Sequence, residues 1–269
     1  MWDYDTAAPP LLTTITRDGQ QVPVVIQTNK TGLLFVLRRD TGEPIFPIEE
    51  RPVPQSDLPG EHTSPTQPFP TTMPALTPHR LSDADIWGAT PAELSSCRKT
   101  IAGLRNEGIF TPPSIKGTLA IPGNVGGPNW SGYAFDTKRQ LLIVNTNNLP
   151  AIVRLIPRHE FDTTSRRDDG EYGLSVGAPY VLFRRYAQAP SGLPCSQPPW
   201  GSLIAVDLTN ATIRWSVPLG SMALFARDVQ GVPPGSISLG GPIVTAGGLV
   251  FVAGTVSYTH LTLPTIYSV

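Results

Sequence analysis

Side chains able to do chemistry are sparse in this sequence, and the motifs they lack narrow the field first. No histidine pair has the His-Glu-x-x-His spacing of a zinc helix. A phosphate-cradling glycine loop and a helix-loop-helix calcium loop are also missing. Gly123-Asn124-Val125-Gly126-Gly127 superficially resembles a dinucleotide turn, but Pro128 follows and no helical pattern opens there, so it reads as a tight turn. His62, His79, His159 and His260 stand in polar or proline-rich stretches without ligand spacing and read as solvated loop residues. Cys97 and Cys195 do not form a Cys-x-x-Cys pair, which leaves either a single bridge in an oxidising compartment or two separate buried thiols. Taken alone, Asp3 reads as a turn or cap carboxylate, Lys30 as a solvated hairpin charge and Asn145 as a strand-end amide satisfying backbone groups.

The elements that must position these residues are strands. Apolar, strand-like runs fall at 22–28, 33–37, 118–121, 141–145, 180–183, 202–207, 213–217 and 249–252, each beside Gly, Pro, Asn or Asp. The 25 glycines and 30 prolines together exceed the roughly 12% of average usage and favour many short strands joined by turns. Residues 36–46 can be laid on residues 205–215 without a gap, both reading strand, polar turn, strand, terminal aromatic. Ala134-Phe135-Asp136-Thr137-Lys138-Arg139-Gln140, followed by Leu141-Leu142-Ile143-Val144, is a third partial copy. Repeats of this kind suit the blades of a propeller, because one four-stranded blade cannot bury both of its faces alone. Ordinary hairpins of a sandwich are the alternative.

One helix is expected over about 90–107. Thr90-Pro91-Ala92-Glu93 has the hydroxyl, proline and acid of a capping box, Leu94, Cys97, Ile101 and Leu104 share one face, and 106–108 supply a stop. It reads as an insertion packed on the sheets, not a second domain. Residues 51–80 hold eight prolines and few apolar side chains, and read as an extended surface excursion.

With 269 residues, 40% of them hydrophobic, the chain can bury one large core or two modest ones. A net charge of -1 offers no basic surplus for a phosphate backbone, so no nucleic-acid partner is expected. No apolar stretch approaches the roughly 20 residues of a spanning helix, and Met1-Trp2-Asp3-Tyr4-Asp5 has no basic-then-apolar signal character. Residues 256–269 do not continue the blade pattern; Ser257-Tyr258-Thr259-His260-Leu261-Thr262-Leu263-Pro264-Thr265 looks like a translated sequencing-adapter tail and is expected to be non-native.

Several ordered segments carry a family resemblance. Trp2-Asp3-Tyr4-Asp5, Asn29-Lys30-Thr31-Gly32-Leu33-Leu34-Phe35-Val36-Leu37, Glu50-Arg51-Pro52-Val53-Pro54-Gln55 and Ser64-Pro65-Thr66-Gln67-Pro68-Phe69 are four of them. Ile86-Trp87-Gly88-Ala89-Thr90, Gly108-Ile109-Phe110-Thr111-Pro112-Pro113-Ser114, Pro122-Gly123-Asn124, Leu155-Ile156-Pro157-Arg158 and Gly192-Leu193-Pro194-Cys195 continue the series. Together they resemble the catalytic domain of the quinoprotein glucose dehydrogenases, which are dependent on pyrroloquinoline quinone (PQQ), over nearly all of residues 2–255.

The resemblance implies an all-β fold: part of an eight-bladed β-propeller over residues 1–255, with the quinone over the central axis. It implies oxidation of a sugar or polyol hydroxyl, with electrons passed to a quinone acceptor. Asp3 matches the family's general base, Lys30 the cation that contacts the quinone carbonyl oxygens, and Asn145, in Val144-Asn145-Thr146-Asn147, a quinone-binding amide. The roles suit the chemistry: a carboxylate takes the alcohol proton while hydride moves to a quinone carbon, and a cation stabilises the charge gathering on the adjacent oxygen. Calcium is the implied metal, with ligands expected upstream of Met1, so none is assigned here. The resemblance also implies a periplasmic protein; some members carry a membrane-embedded N-terminal portion, absent from this sequence, so membrane association and a soluble periplasmic form both stand open. Gly126-Gly127-Pro128-Asn129-Trp130-Ser131-Gly132 departs from the family's hydrophobic-acidic run, so glucose itself is not named as substrate. The fragment alone is expected to be inactive, because a propeller missing blades cannot close. A non-catalytic propeller that scaffolds envelope proteins is the competing class, and it would need neither Asp3 nor Lys30.

Overall fold

The computed structural model describes residues 2–162, 170–220 and 235–253, with short strands at 255–256, 260–261 and 265–268. Strands β1 (Leu11–Arg17), β2 (Gln20–Thr28) and β3 (Leu34–Arg38) form an antiparallel sheet in that order. β4 (Ile48–Pro52) and β5 (Thr66–Pro70) pair as a separate ribbon, and α1 (Pro91–Ile101) follows.

The next eight strands build two four-stranded sheets whose segments interleave along the chain. β6 (Thr118–Ala120), β9 (Ala151–Pro157), β10 (Glu171–Gly173) and β11 (Tyr180–Tyr186) make one, in the order β10-β11-β9-β6. β7 (Tyr133–Asp136), β8 (Leu141–Asn147), β12 (Gly201–Asp207) and β13 (Thr212–Pro218) make the other, in the order β13-β12-β8-β7. β14 (Ile243–Val244) and β15 (Leu249–Val252) open a further sheet, and β16 (Thr255–Val256), β17 (His260–Leu261) and β18 (Thr265–Ser268) close the described chain. β18 pairs with β15 and β16 with β17, within the stretch expected to be a non-native tail; residues 257–259, 262–264 and 269 of that stretch lie outside the described residues.

The sheet of β7, β8, β12 and β13 shows why the sheets stack. Side chains of a strand alternate between faces. On one face Leu142, Val144, Ile204 and Val206 pack with Ile15, Val24, Ile26, Leu34 and Val36 of the first sheet. On the other, Leu141, Ile143, Leu203 and Ala205 pack with Val250 and Val252 of β15. β8 is therefore buried along its whole length, which explains why its first four residues read as an unbroken apolar run and not as an alternating one. Stacked blades, not a sandwich, produce this pattern: the fold is an all-β partial propeller with one short helix, and among the described residues the sheets do not close into a ring.

The three repeats share one corner. Counting four residues on from Arg38, Asp136 and Asp207 leads to Gly42, Gln140 and Ala211, all with left-handed φ, at 78°, 58° and 54°. Asp136 and Asp207 each accept two backbone N–H bonds across the turn, Asp136 from Lys138 and Arg139, Asp207 from Thr209 and Asn210. A left-handed residue closing such a turn returns the chain with the twist the next strand needs. Only the first copy uses the glycine that meets this demand at no steric cost.

Thr90 caps α1 by accepting from the Glu93 N–H, and the helix stops at Ile101, short of the expected 107, where Gly103 takes a φ of 84°. Cys97 and Ile101 pack on Leu119 and Ile152 of the sheet of β6 and β9, as expected of an insertion. Cys97 is bonded to Cys195, which resolves the open choice between a bridge and two thiols. Residues 51–80 are not a surface excursion. Val53, Leu58, Met73 and Leu76 are buried, and Met73 and Leu76 join the core of the first sheet. Among the described residues, no helix is long and apolar enough to cross a membrane.

Candidate active site

The segment Trp2-Asp3-Tyr4-Asp5 has no regular structure, yet every second side chain is anchored on one side. Trp2 Nε1 donates to the Phe110 carbonyl at 2.5 Å, and Tyr4 Oη donates to the Pro122 carbonyl at 2.8 Å. Both rings meet Phe110 edge-on, with centroids 5.2 and 5.9 Å away, and Phe69 adds a third edge contact at 5.8 Å. Phe110 itself has a φ of 67°, a left-handed conformation that costs a non-glycine residue about 1–2 kcal/mol. Its three ring contacts, at roughly 0.5–1.5 kcal/mol each, are enough to hold it there. Burial, then the neighbouring Asp3 charge, push the Tyr4 phenol well above the ordinary tyrosine range, so it stays protonated as a donor.

While Trp2 and Tyr4 are anchored on the Phe110 and Pro122 carbonyls, Asp3 and Asp5 both meet Lys30. Lys30 Nζ lies 2.9 Å from Asp3 Oδ1 and 2.7 Å from Asp5 Oδ1. Its backbone is fixed from both sides, the N–H donating to the Asp5 carbonyl at 3.2 Å and the carbonyl accepting from Gly127 N–H at 2.8 Å. The turn that carries it is closed by Gly32 N–H donating to the Asn29 carbonyl, and the Asn29 side chain accepts from Thr31. Gly126 gives the lysine stem its room: a Cβ there would lie 2.5 Å from Lys30 Cγ. Burial would lower the Lys30 ammonium, but hydrogen bonds and charge from Asp5 and Asp3 outweigh it and raise the group above the ordinary lysine value. Asp5, hydrogen-bonded to Lys30, is held below the usual carboxylate range.

Sequence reasoning missed a second cation. Arg184 Nη1 lies 3.0 Å from Asp3 Oδ2, so each carboxylate oxygen of Asp3 faces its own positive partner. Glu171 Oε2 accepts from Arg184 Nε at 2.7 Å, and the two residues stand directly opposite in the β10–β11 register. Arg184 lies 181 residues from Asp3, and the apolar run that marked its strand ended at Phe183, so no local signal pointed to it.

Asn145 is placed differently. It is buried on β8, its Nδ2 donates to the Ser238 carbonyl at 2.8 Å, and it does not line the cavities beside Asp3. It reaches Lys30 through a relay: Ser238 also binds the Asn147 side chain, Asn147 donates to the Gly127 carbonyl, and Gly127 donates to the Lys30 carbonyl. The histidines expected in solvent divide: His159 is exposed, whereas His79 is half-buried with Nε2 at 2.8 Å from the Thr31 carbonyl, and burial lowers it.

Asp3 lines two cavities. One, of about 310 Å³, is walled by Trp2, Phe35, Phe110, Asn29, Gln67 and Asp5; the other, of about 50 Å³, by Tyr4, Pro113, Asn124, Leu182 and Arg184 among others. Flat aromatic walls, two amides and the Lys30 ammonium bound behind Asp3 and Asp5 form a donor set that fits a planar, carbonyl-bearing cofactor. Among the described residues no group of three or more His, Cys, Asp or Glu side chains could hold a metal ion.

A protein-family model described as PQQ, "Glucose/ethanol/alcohol dehydrogenase, beta-propeller domain", matches residues 1–261. The chain is 40% identical to the quinoprotein glucose dehydrogenase of Escherichia coli, covering 95% of this chain and 33% of that protein. It is 34% identical to the quinate/shikimate dehydrogenase (quinone) of Acinetobacter baylyi, covering 96% and 33%. It is 36% identical to the glycerol dehydrogenase large subunit of Gluconobacter oxydans, covering 94% and 37%. The chain thus spans about a third of the length of these relatives.

Proposed function

Because this chain belongs to the PQQ glucose/ethanol/alcohol dehydrogenase β-propeller family, we propose that it supplies the base and a cofactor-facing cation to an enzyme that oxidises a sugar or polyol hydroxyl. The observation that carries this reading is the 2.9 Å contact between Lys30 Nζ and Oδ1 of Asp3, a carboxylate that lines an aromatic-walled cavity. A carboxylate and an ammonium side by side are what removal of a hydroxyl proton and stabilisation of a neighbouring developing oxyanion require. Bound PQQ would supply the hydride acceptor. Asp3 takes the hydroxyl proton of the substrate, Lys30 donates to a carbonyl oxygen of the cofactor, and Trp2 and Phe110 exclude water from one wall.

Asp5 keeps a carboxylate on Lys30 in the resting site and so fixes where the ammonium waits. Asn145 belongs to the proposal as a cofactor-binding amide, and its relay through Asn147 and Gly127 to Lys30 supports a shared scaffold for the two residues. Calcium is assigned to ligands outside this chain, and the electron acceptor to a quinone. The Cys97–Cys195 bridge supports a periplasmic setting, since such bonds persist in oxidising compartments.

In the full-length holoenzyme, Asp3→Asn should lower turnover of every alcohol substrate by about 10²–10⁴-fold, the usual contribution of general-base catalysis. Dye-coupled oxidation of glucose, glycerol and quinate measures it. Wild-type turnover in that variant would remove Asp3 from the role.

A further inference from the structure

We propose that Arg184 is a positioning residue for Asp3, the cation that stays on the carboxylate when Lys30 is engaged elsewhere. The inference rests on the reading of Asp3 as base and Lys30 as cofactor-facing cation. In the resting site Asp3 holds one cation on each oxygen, Lys30 on Oδ1 at 2.9 Å and Arg184 on Oδ2 at 3.0 Å. Lys30 has two carboxylates to choose from and a rotatable ammonium on a flexible stem, so it can turn away from Oδ1 and leave that oxygen to a substrate hydroxyl. Arg184 would then be the cation left to hold the plane of Asp3.

Arg184 is built for that task. Its guanidinium presents its donors in a rigid plane, unlike a lysine. Glu171 grips the Nε edge at 2.7 Å from the directly opposite position on β10, so the fork cannot rotate without breaking a cross-strand pair. Nη1 is left to point at Asp3, and Arg184 is only about one-third exposed, at 32% of its side chain. It lines the smaller cavity and not the larger, aromatic-walled one, whereas Asp3 lines both.

The test uses the full-length protein reconstituted with PQQ and calcium, with Arg184→Met, Arg184→Lys and Asp3→Asn compared. Arg184→Met should lower kcat on glucose and glycerol by about 10–100-fold, the cost of a base displaced by around 1 Å. KM for these neutral alcohols should change less than about threefold, and quinone affinity of the apoprotein, read by absorbance titration, should also stay within about threefold, because Arg184 acts through Asp3 and not on either ligand. Arg184→Lys should restore part of kcat, and a thermal melt confirms that each variant is folded. Should Arg184→Met fail to fold, Glu171→Ala replaces it, and a kcat fall of about threefold or more at unchanged KM is expected as the guanidinium loosens.

An unchanged kcat in the folded variant overturns the proposal. So does a loss confined to KM for quinate, which would make Arg184 a binder of substrate carboxylate, or a loss of quinone affinity that matches the loss of turnover. Asp3→Asn separates the two levels of the reading: if it is inactive while Arg184→Met is fully active, the base stands and only the positioning role falls; if Asp3→Asn is active, the base reading fails first.

Discussion

β8 and the Asp3 cluster are held in place by opposite means. Around β8, ten or so aliphatic neighbours contribute through non-directional burial, roughly 1.5–3 kcal/mol for each large side chain, and a change of shape at one position is shared by the rest. Around Asp3, a few directional contacts from segments 27 and 181 residues away each fix one oxygen, and none can substitute for another. Redundancy protects the blade, whereas the site depends on single bonds.

The contrast can be broken most severely on the blade side. Val144→Asp in the full-length protein would leave an unpaired carboxylate between two apolar sheets, and the soluble folded yield should fall to near zero, because such a burial exceeds the roughly 4–5 kcal/mol that marks the most damaging single changes. Soluble expression and circular dichroism measure it. A folded Val144→Asp protein would mean that the two faces of β8 are wetter than the packing implies.

Removing the covalent tie between α1 and the loop before β12 is the next largest effect. Cys97→Ser with Cys195→Ser should cost about 2–4 kcal/mol, read from the denaturant midpoint, since the bridge closes a long loop in the unfolded chain. Asp3 turnover at a temperature below the melt should persist, because no contact of the cluster runs through either cysteine. Equal losses of stability and turnover would show that helix and site move together.

A smaller, pH-dependent effect tests the corner of the third repeat. Asp136 is buried, which alone would raise its pKa, yet the Arg139 and Lys138 N–H groups and the Arg139 guanidinium lower it on balance. A folded-state pKa below the unfolded value of about 3.9 gives stability that is fully present above that value and is lost as the pH falls through the folded one. Asp136→Asn should therefore cost about 1–3 kcal/mol near neutrality and flatten the loss of stability between about pH 5 and 2, followed by urea midpoints. The smallest change is Thr90→Ala, about 1 kcal/mol from the lost helix cap, with turnover unaffected.

The same division governs what could be read from the sequence. The apolar run of β8 and the hairpin repeats follow from local periodicity, so the propeller class was legible, as were the Thr90 cap and Cys97 facing the sheet. β4 and β5 were not, because Pro52, Pro68 and Pro70 interrupt them; paired only with each other, these strands have free outer edges where a missing N–H costs nothing. The burial of Met73 and Leu76 was hidden by the same prolines. Asp3 and Lys30 came from the resemblance, since each alone looks like a surface charge. Arg184 came from neither. The interleaving of β6, β9, β10 and β11 with the neighbouring blade brings it to Asp3, and that topology leaves no periodic trace.

Gly126 and Gly127 carry a practical lesson for anyone wishing to redirect the enzyme. A side chain at 126 would press on the stem of Lys30, and one at 127 would press on Thr77, which itself supports the Thr31 carbonyl. On the role proposed for Lys30, libraries built on this loop would first displace the ammonium, so their hits and failures would report on cofactor engagement before they reported on selectivity.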